Sequence, residues 1–343
     1  MLELPARGAA RTIARLRLER AIEKAAPLLV APVADAATTI GNEEVHGFRV
    51  ALRRLRSWVR AADGLLRDDL PRPLRAALRR IARRAGAARD AQVQWMWLTA
   101  PGEPMSMPAA RAARWLAADR LAAYAAARER LQRRTAAQWP PLTAALATAL
   151  APQDVSAATD DNEPLAEHLA PVLERHLASA RRALDRVEHR TQVTAIHRAR
   201  IEVKRLRYLV DAIGAPSTAG VRTLRHLRAL QDALGDLHDA QVIAMLLEPL
   251  LAPHRGRRGS SPPRLPLRDV RALRAAVRRR ELAAFRRALD LAGSHAAAAL
   301  RGDPAVVARA LLAGPTARQV ASRATAAPIA LSPNDHAPAD RRG

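Results

Sequence analysis

The 343-residue sequence predicts an all-α protein built from two four-helix units. Three observations predict it. Hydrophobic residues make up 49% of the chain and aromatics only 3%, so helix formers abound and strand formers are scarce. One amphipathic run is written twice, as VHGFRVALRRLRSWV from Val45 and IHRARIEVKRLRYLV from Ile196. A second element, GAARDAQV from Gly86, returns as GDLHDAQV from Gly235, so two motifs recur in the same order about 150 residues apart, the mark of a duplicated unit.

Taken in order, Ile13, Leu16, Ile22 and Leu29 give the helical period of a first helix over 9–30, stopped by Pro32. Asn42 is the expected cap of the second helix, with Glu43 and Glu44 in its first turn, and the helix is expected to run to about Arg67. On it, at about 100° per residue, His46, Arg49, Arg53, Arg56 and Arg60 fall in a strip about 80° wide. Phe48, Ala51, Leu52, Leu55, Trp58, Val59 and Ala62 form the opposite, apolar side. Pro71 and Pro73 open a third segment, whose Arg72, Arg75, Arg79 and Arg83 share another strip; it continues through Gly86, Arg89 and Asp90 to Pro101. A fourth helix over 108–137 uses Trp115, Leu116, Leu121, Tyr124 and Leu131 as its apolar side. Trp139-Pro140-Pro141 is expected to break it before a short helix ending at Leu150.

The aperiodic stretch APQDVSAATDDNEP from Ala151 is the seam between a first unit, 9–150, and a second, 163–300. The second unit is expected as helices over 164–189, 193–213, 221–251 and 267–292. A basic loop from His254 to Pro266 precedes the last of these, and it reads either as a solvated connector or as a flap over an anionic ligand. The Ala-, Pro- and Ser-rich tail over 313–343 is expected to be disordered.

Aligning the copies pairs His46 with His197, Arg49 with Arg200, Arg53 with Lys204, Arg54 with Arg205 and Arg56 with Arg207. Arg89-Asp90 pairs with His238-Asp239. Arg60 and Arg83 are matched by Asp211 and Asp232, and Arg222, Arg225 and Arg228 form a broader patch in the second unit, so the first unit is expected to carry more of the ligand charge. The net charge is +24, and a fold with that excess calls for a polyanion. His46 and His197 read as ligand contacts or as histidines bonded within the structure. Arg54 and Arg205, about 80° off the strip, read as ligand contacts or as braces to a neighbouring helix. Asp90 and Asp239 are the expected orienting carboxylates, pairing with arginines from behind.

The chain has no cysteine, which excludes disulfides, thiolate metal sites and a cysteine nucleophile. No apolar stretch suffices to span a membrane, and Glu19 and Glu23 interrupt the basic face of the first turns, so a soluble, cytoplasmic protein is expected.

The V-H-x-x-R-V-x-x-R-R-L-R helix, the G-x-x-R-D element some forty residues on, and the repetition of both resemble the CHAD family, the conserved histidine α-helical domain, over roughly residues 9–300. The second copy departs from the pattern at His238. The resemblance implies two four-helix bundles related by a pseudo-twofold axis, a basic cavity between them, and binding of inorganic polyphosphate, with association with polyphosphate granules. It implies no catalytic residue, cofactor or metal, and no E-x-E-x-K signature of an accompanying triphosphate-tunnel domain is present. The ligand contacts then expected are the cations of the two motif helices together with Arg72, Arg75, Arg79, Arg83, Arg89, Arg222, Arg225, Arg228 and His238.

Three other functions stay open. A nucleic-acid binder would share the phosphate attraction, at least weakly and without specificity, but no recognition helix or RNP-like run is present, and Trp58, Trp95, Trp97, Trp115 and Trp139 read as core rather than stacking platforms. A phosphotransfer enzyme needs carboxylates for Mg²⁺, and only Asp232, Asp236 and Asp239 cluster near the motifs. A scaffold for an acidic protein is the third. Oligomeric state and chain-length preference are not written in the sequence.

Overall fold

Alanine sets how closely the first helix packs. In the computed structural model, which describes residues 2–30, 41–99, 105–152, 163–214, 217–252, 265–294 and 297–313, α1 (Ala6–Val30) turns Ala6, Ala10, Ala14, Ala21 and Ala25 inward with Ile13, Leu18 and Leu28. Leu16 and Ile22, expected on the buried side, are 48% and 41% exposed. The small residues let α1 approach its neighbours, and the larger side chains are displaced to the flank.

The remaining elements are α2 (Gly41–Ala61), α3 (Asp63–Leu66), α4 (Arg72–Thr99), α5 (Met107–Ala149), α6 (Leu165–Asp185), α7 (Val193–Ala212), α8 (Thr218–Leu251), α9 (Leu267–Gly293), α10 (Ala298–Arg301) and α11 (Pro304–Leu312). The all-α class is as the composition predicts. Among the described residues the only β feature is one antiparallel bridge, Pro5 to Pro164, where Ala6 N–H donates to Glu163 O and Leu165 N–H to Leu4 O. It ties the start of α1 to the start of α6.

Several boundaries differ from expectation. Asn42 lies inside α2 rather than at its cap, because the helix begins at Gly41. α2 stops at Ala61, not near Arg67: Asp63 and Gly64 favour a turn, and Asp63 takes Arg67 and Arg75 as ion-pair partners. The expected break at Pro140-Pro141 does not occur. α5 continues through both exposed prolines because Leu131, Thr135, Trp139, Leu142 and Leu146 keep one buried face on either side of them; packing overrides the lost hydrogen bonds. α6 ends at Asp185 rather than 189, and Gln192 Oε1 then accepts from the backbone N–H groups of Glu188 and His189. Past residue 300, α11 adds a turn-capped helix, with Asp303 accepting from Ala305 N–H at 2.8 Å and Leu311 and Leu312 buried. The expectations for Pro32, Pro101, most of the seam, the loop at 254–264 and the tail from 314 lie outside the described residues.

α1 packs on α2, α2 on α4 and α4 on α5; likewise α6 packs on α7, α7 on α8 and α8 on α9. Across the seam, α1 meets α6, α2 meets α7, α4 meets α8 and α5 meets α9. The main hydrophobic core draws on helices from α1 to α11, and a smaller one at the far ends of α4, α5, α8 and α9 includes Leu98, Leu116, Leu247 and Leu273. Phe48, Leu52, Leu55 and Trp58 are all essentially buried, so the apolar side of α2 is fixed in this core and its cationic side is turned to α4 and α7. Trp139 joins them edge-on to Phe48 at 5.3 Å. Trp115, expected in the core, is 39% exposed. No described helix is long and apolar enough to cross a membrane.

Candidate functional site

The contacts of α2 with α7 and of α4 with α8 leave a cleft of about 670 Å³ where the four helices meet. α2 contributes His46, Arg49 and Arg53, and α7 contributes Arg200 and Lys204. These are one and the same set of motif positions, three from the first copy and two from the second. α4 adds Arg89 and Asp90, and α8 adds His238 and Asp239.

Cations so gathered disfavour one another. Burial, reinforced by Arg53, Arg200 and Arg49 and opposed by Asp90, lowers Lys204 to about 7. Burial lowers Arg53 to about 10, with Arg49, Arg207 and Arg54 adding to the effect and Tyr208 opposing it. Arg89 and Arg200 are lowered by burial and by Arg49, and Asp239 offsets part of this in both. His46 is held below its ordinary value by burial and then by Arg89 and Arg53, and His238 is lowered to about 4 by burial, Arg200, His197 and Lys204. The imidazoles are thus neutral in the free protein at neutral pH. His46 Nδ1 and Arg53 Nε are buried with no hydrogen-bond partner among the described residues, a costly arrangement that an entering anion would relieve.

The carboxylates sit differently from expectation. Among the described residues neither Asp90 nor Asp239 has an ion-pair partner within 4.0 Å that it would brace from behind; both line the cleft itself. Burial, with Asp236 and Asp90 close by, raises Asp239 to about 6 against the pull of Arg200. Asp232 and Asp236 lie on the same wall, and Asp236 is ion-paired with Arg287. Among the described residues no group of three or more His, Asp or Glu is placed to hold a metal ion.

The other candidate cations lie outside the cleft wall. Arg56 is half-buried near Arg60, Arg79 and Arg83, whose charges add to burial in lowering its pKa, so the α2 strip runs on to meet the α4 strip. Arg75 is engaged by Asp63 and the backbone carbonyl of Leu70, and Arg72, at the start of α4, is exposed. Arg54 braces α2 against α7, its Nε 2.8 Å from Asp211 Oδ2, and Arg228 lies 3.6 Å from the same carboxylate. Arg205 pairs with Glu202 at 2.7 Å. Arg207 donates to Gln231 Oε1 at 2.8 Å. Arg222 and Arg225 are exposed on α8, and His197 is exposed with its ring 5.6 Å from that of His238.

Sequence reasoning missed Tyr208. The guanidinium carbons of Arg53 and Arg207 both lie over its ring, 4.4 Å and 4.5 Å from the centroid. The available signal was a rare aromatic directly following the motif's Arg207. Trp97, read as core, lines the cleft, and Arg280 stacks over its ring at 4.3 Å.

A family model described as the CHAD domain matches residues 20–248. Two solved structures share the fold. The CHAD domain from the plant Ricinus communis is 20% identical over 91% of this chain and 93% of its own, with a TM-score of 0.51. PptA from Streptomyces chartreusis is 19% identical over 84% of this chain and 100% of its own, with a TM-score of 0.60. No curated protein matches the chain.

Proposed function

The chain belongs to the CHAD domain family, and from that premise we propose that it binds inorganic polyphosphate, without catalysis, in the cleft between α2, α4, α7 and α8. The observation that carries this is the gathering of Arg49 and Arg53 from α2 with Arg200 and Lys204 from α7, half-buried against their mutual repulsion. A fold retains such an arrangement when a ligand supplies the missing negative charge. Polyphosphate is a flexible chain with about one charge per unit and no bases to read. Helical cations recurring about every 5 Å on both walls match that need, and bidentate guanidinium contacts hold each phosphate. Much of the affinity comes from counterion release. Association with polyphosphate granules in the cytoplasm follows from the same chemistry.

Duplex DNA and acidic proteins are the competing ligands. The test is displacement of labelled polyphosphate by duplex DNA and by polyglutamate at equal charge concentration. Polyphosphate is expected to remain bound at excesses of either competitor; displacement at equal concentration would replace this function with the competitor's.

A further inference from the structure

Of 57 Lys and Arg residues only Lys24 and Lys204 are lysine. Lys204 stands where the first copy of the motif has Arg53, and both line the cleft. From α2 it is faced by His46, Arg49 and Arg53, and on its own helix by Arg200. From α4 come Arg89 and Asp90, and from α8 Asp232, Asp236, His238 and Asp239. α6, packed elsewhere on α7, brings His176 to Glu202 and Arg205 instead.

Guanidinium does not give up its proton in proteins, whereas a buried ammonium does so readily. In a cleft crowded with arginines, lysine is therefore the one cation able to relieve the repulsion. We propose that Lys204 sheds its proton in the free protein and regains it when a phosphate chain enters the cleft, so that binding takes up a proton and weakens as the pH rises above neutrality. This rests on the polyphosphate function proposed above. Burial and the flanking arginines bring Lys204 to about 7, whereas neighbouring phosphates raise it. Asp239, at about 6, and His238, at about 4, titrate at lower pH in the free protein, and comparison with Lys204→Arg separates any uptake by them from that by Lys204.

The experiment is calorimetric titration of polyphosphate into the protein at pH 6 and pH 8, in buffers of differing ionisation enthalpy. Wild type is expected to take up about 0.9 proton at pH 8, with affinity falling by up to about tenfold per pH unit above that. Lys204→Arg is expected to lose the pH 8 uptake and the pH dependence. With only two lysines, ¹³Cε-lysine labelling gives a second readout on unmutated protein: one signal is expected to titrate near neutrality in the free protein and to stay protonated to pH 9 in the complex. Absence of wild-type binding at pH 6 overturns the polyphosphate function and this inference with it. Binding without proton uptake, uptake that persists in Lys204→Arg, or two lysine signals that both titrate only above pH 9 in the free protein overturns the inference alone.

Discussion

Arg53 of α2 stacks on Tyr208 of α7, its guanidinium carbon 4.4 Å from the ring centroid. A cation of α2 is thus held by an aromatic of α7, and Arg207 also lies over the ring, at 4.5 Å. Two cation–π contacts are together worth about 1–2 kcal/mol at such a site. Tyr208→Leu is expected to loosen Arg53 and weaken polyphosphate binding several-fold. The Tyr208 hydroxyl is buried without a hydrogen-bond partner among the described residues, so Tyr208→Phe is expected to bind as wild type and to be at least as stable. Binding titrations with chemical denaturation of both variants separate the ring's effect from the hydroxyl's.

Asp211 is the counterpart case, a carboxylate that braces rather than binds. It pairs with Arg54 and Arg228, and Arg17 donates to its backbone carbonyl at 3.2 Å. Asp211→Ala is expected to cost about 1–3 kcal/mol by leaving cations uncompensated where α2 and α8 meet α7. Polyphosphate affinity should hold, which denaturant midpoints and binding isotherms on the same preparation check.

The cleft cations oppose folding in the absence of ligand. Lys204→Met is therefore expected to raise the melting temperature while weakening binding. The sign follows from its pKa: a lysine depressed to about 7 in the fold from about 10.4 unfolded destabilises most below pH 7, and the penalty shrinks as the pH rises toward 10. Melting curves of variant and wild type should converge at high pH; a variant less stable than wild type at pH 6 contradicts the repulsion described.

The Arg111–Asp269 pair is bidentate, with Nε 2.5 Å from Oδ2 and Nη2 2.8 Å from Oδ1. Hydrogen bonding to Arg111 holds the Asp269 carboxyl below its ordinary range. Its contribution is present above the unfolded carboxyl value of about 3.9 and is lost as the pH falls through the lower folded value. Arg111→Met is expected to be less stable than wild type at pH 7, with the difference shrinking in denaturant titrations as the pH falls below the ordinary carboxyl range.

Non-catalytic binding predicts no release of phosphate from polyphosphate with Mg²⁺, although Asp232, Asp236 and Asp239 share the cleft wall. Phosphate release that Asp236→Ala abolishes would make the protein an enzyme.

The parts of this protein that repeat a period were legible in its sequence. Arg49, Arg53, Arg200 and Lys204 were found because i, i+4 spacing fixes their side of the helix and the second copy repeats it. What depends on distant partners was not. Nothing near Arg54 names Asp211, which lies 157 residues away, and nothing near Tyr208 announces that Arg53 will cover it. Pro140-Pro141 read as a break because local propensity points that way, while the buried face from Leu131 to Leu146 is decided by packing. Asp90 and Asp239 were assigned to brace arginines, the commoner role of an acid among cations, and only the helix crossings turn them into the cleft.

The central claim is that one cleft is shared by both copies of the motif. It is tested most directly by titrating polyphosphate of defined length into wild type, Arg49→Gln/Arg53→Gln, Arg200→Gln/Lys204→Gln and the four-fold variant, each confirmed folded by circular dichroism. Either pair alone is expected to cost at least about tenfold in affinity, with a shallower dependence on salt, and the four-fold variant to lose specific binding. A folded four-fold variant that binds polyphosphate as wild type does would contradict it.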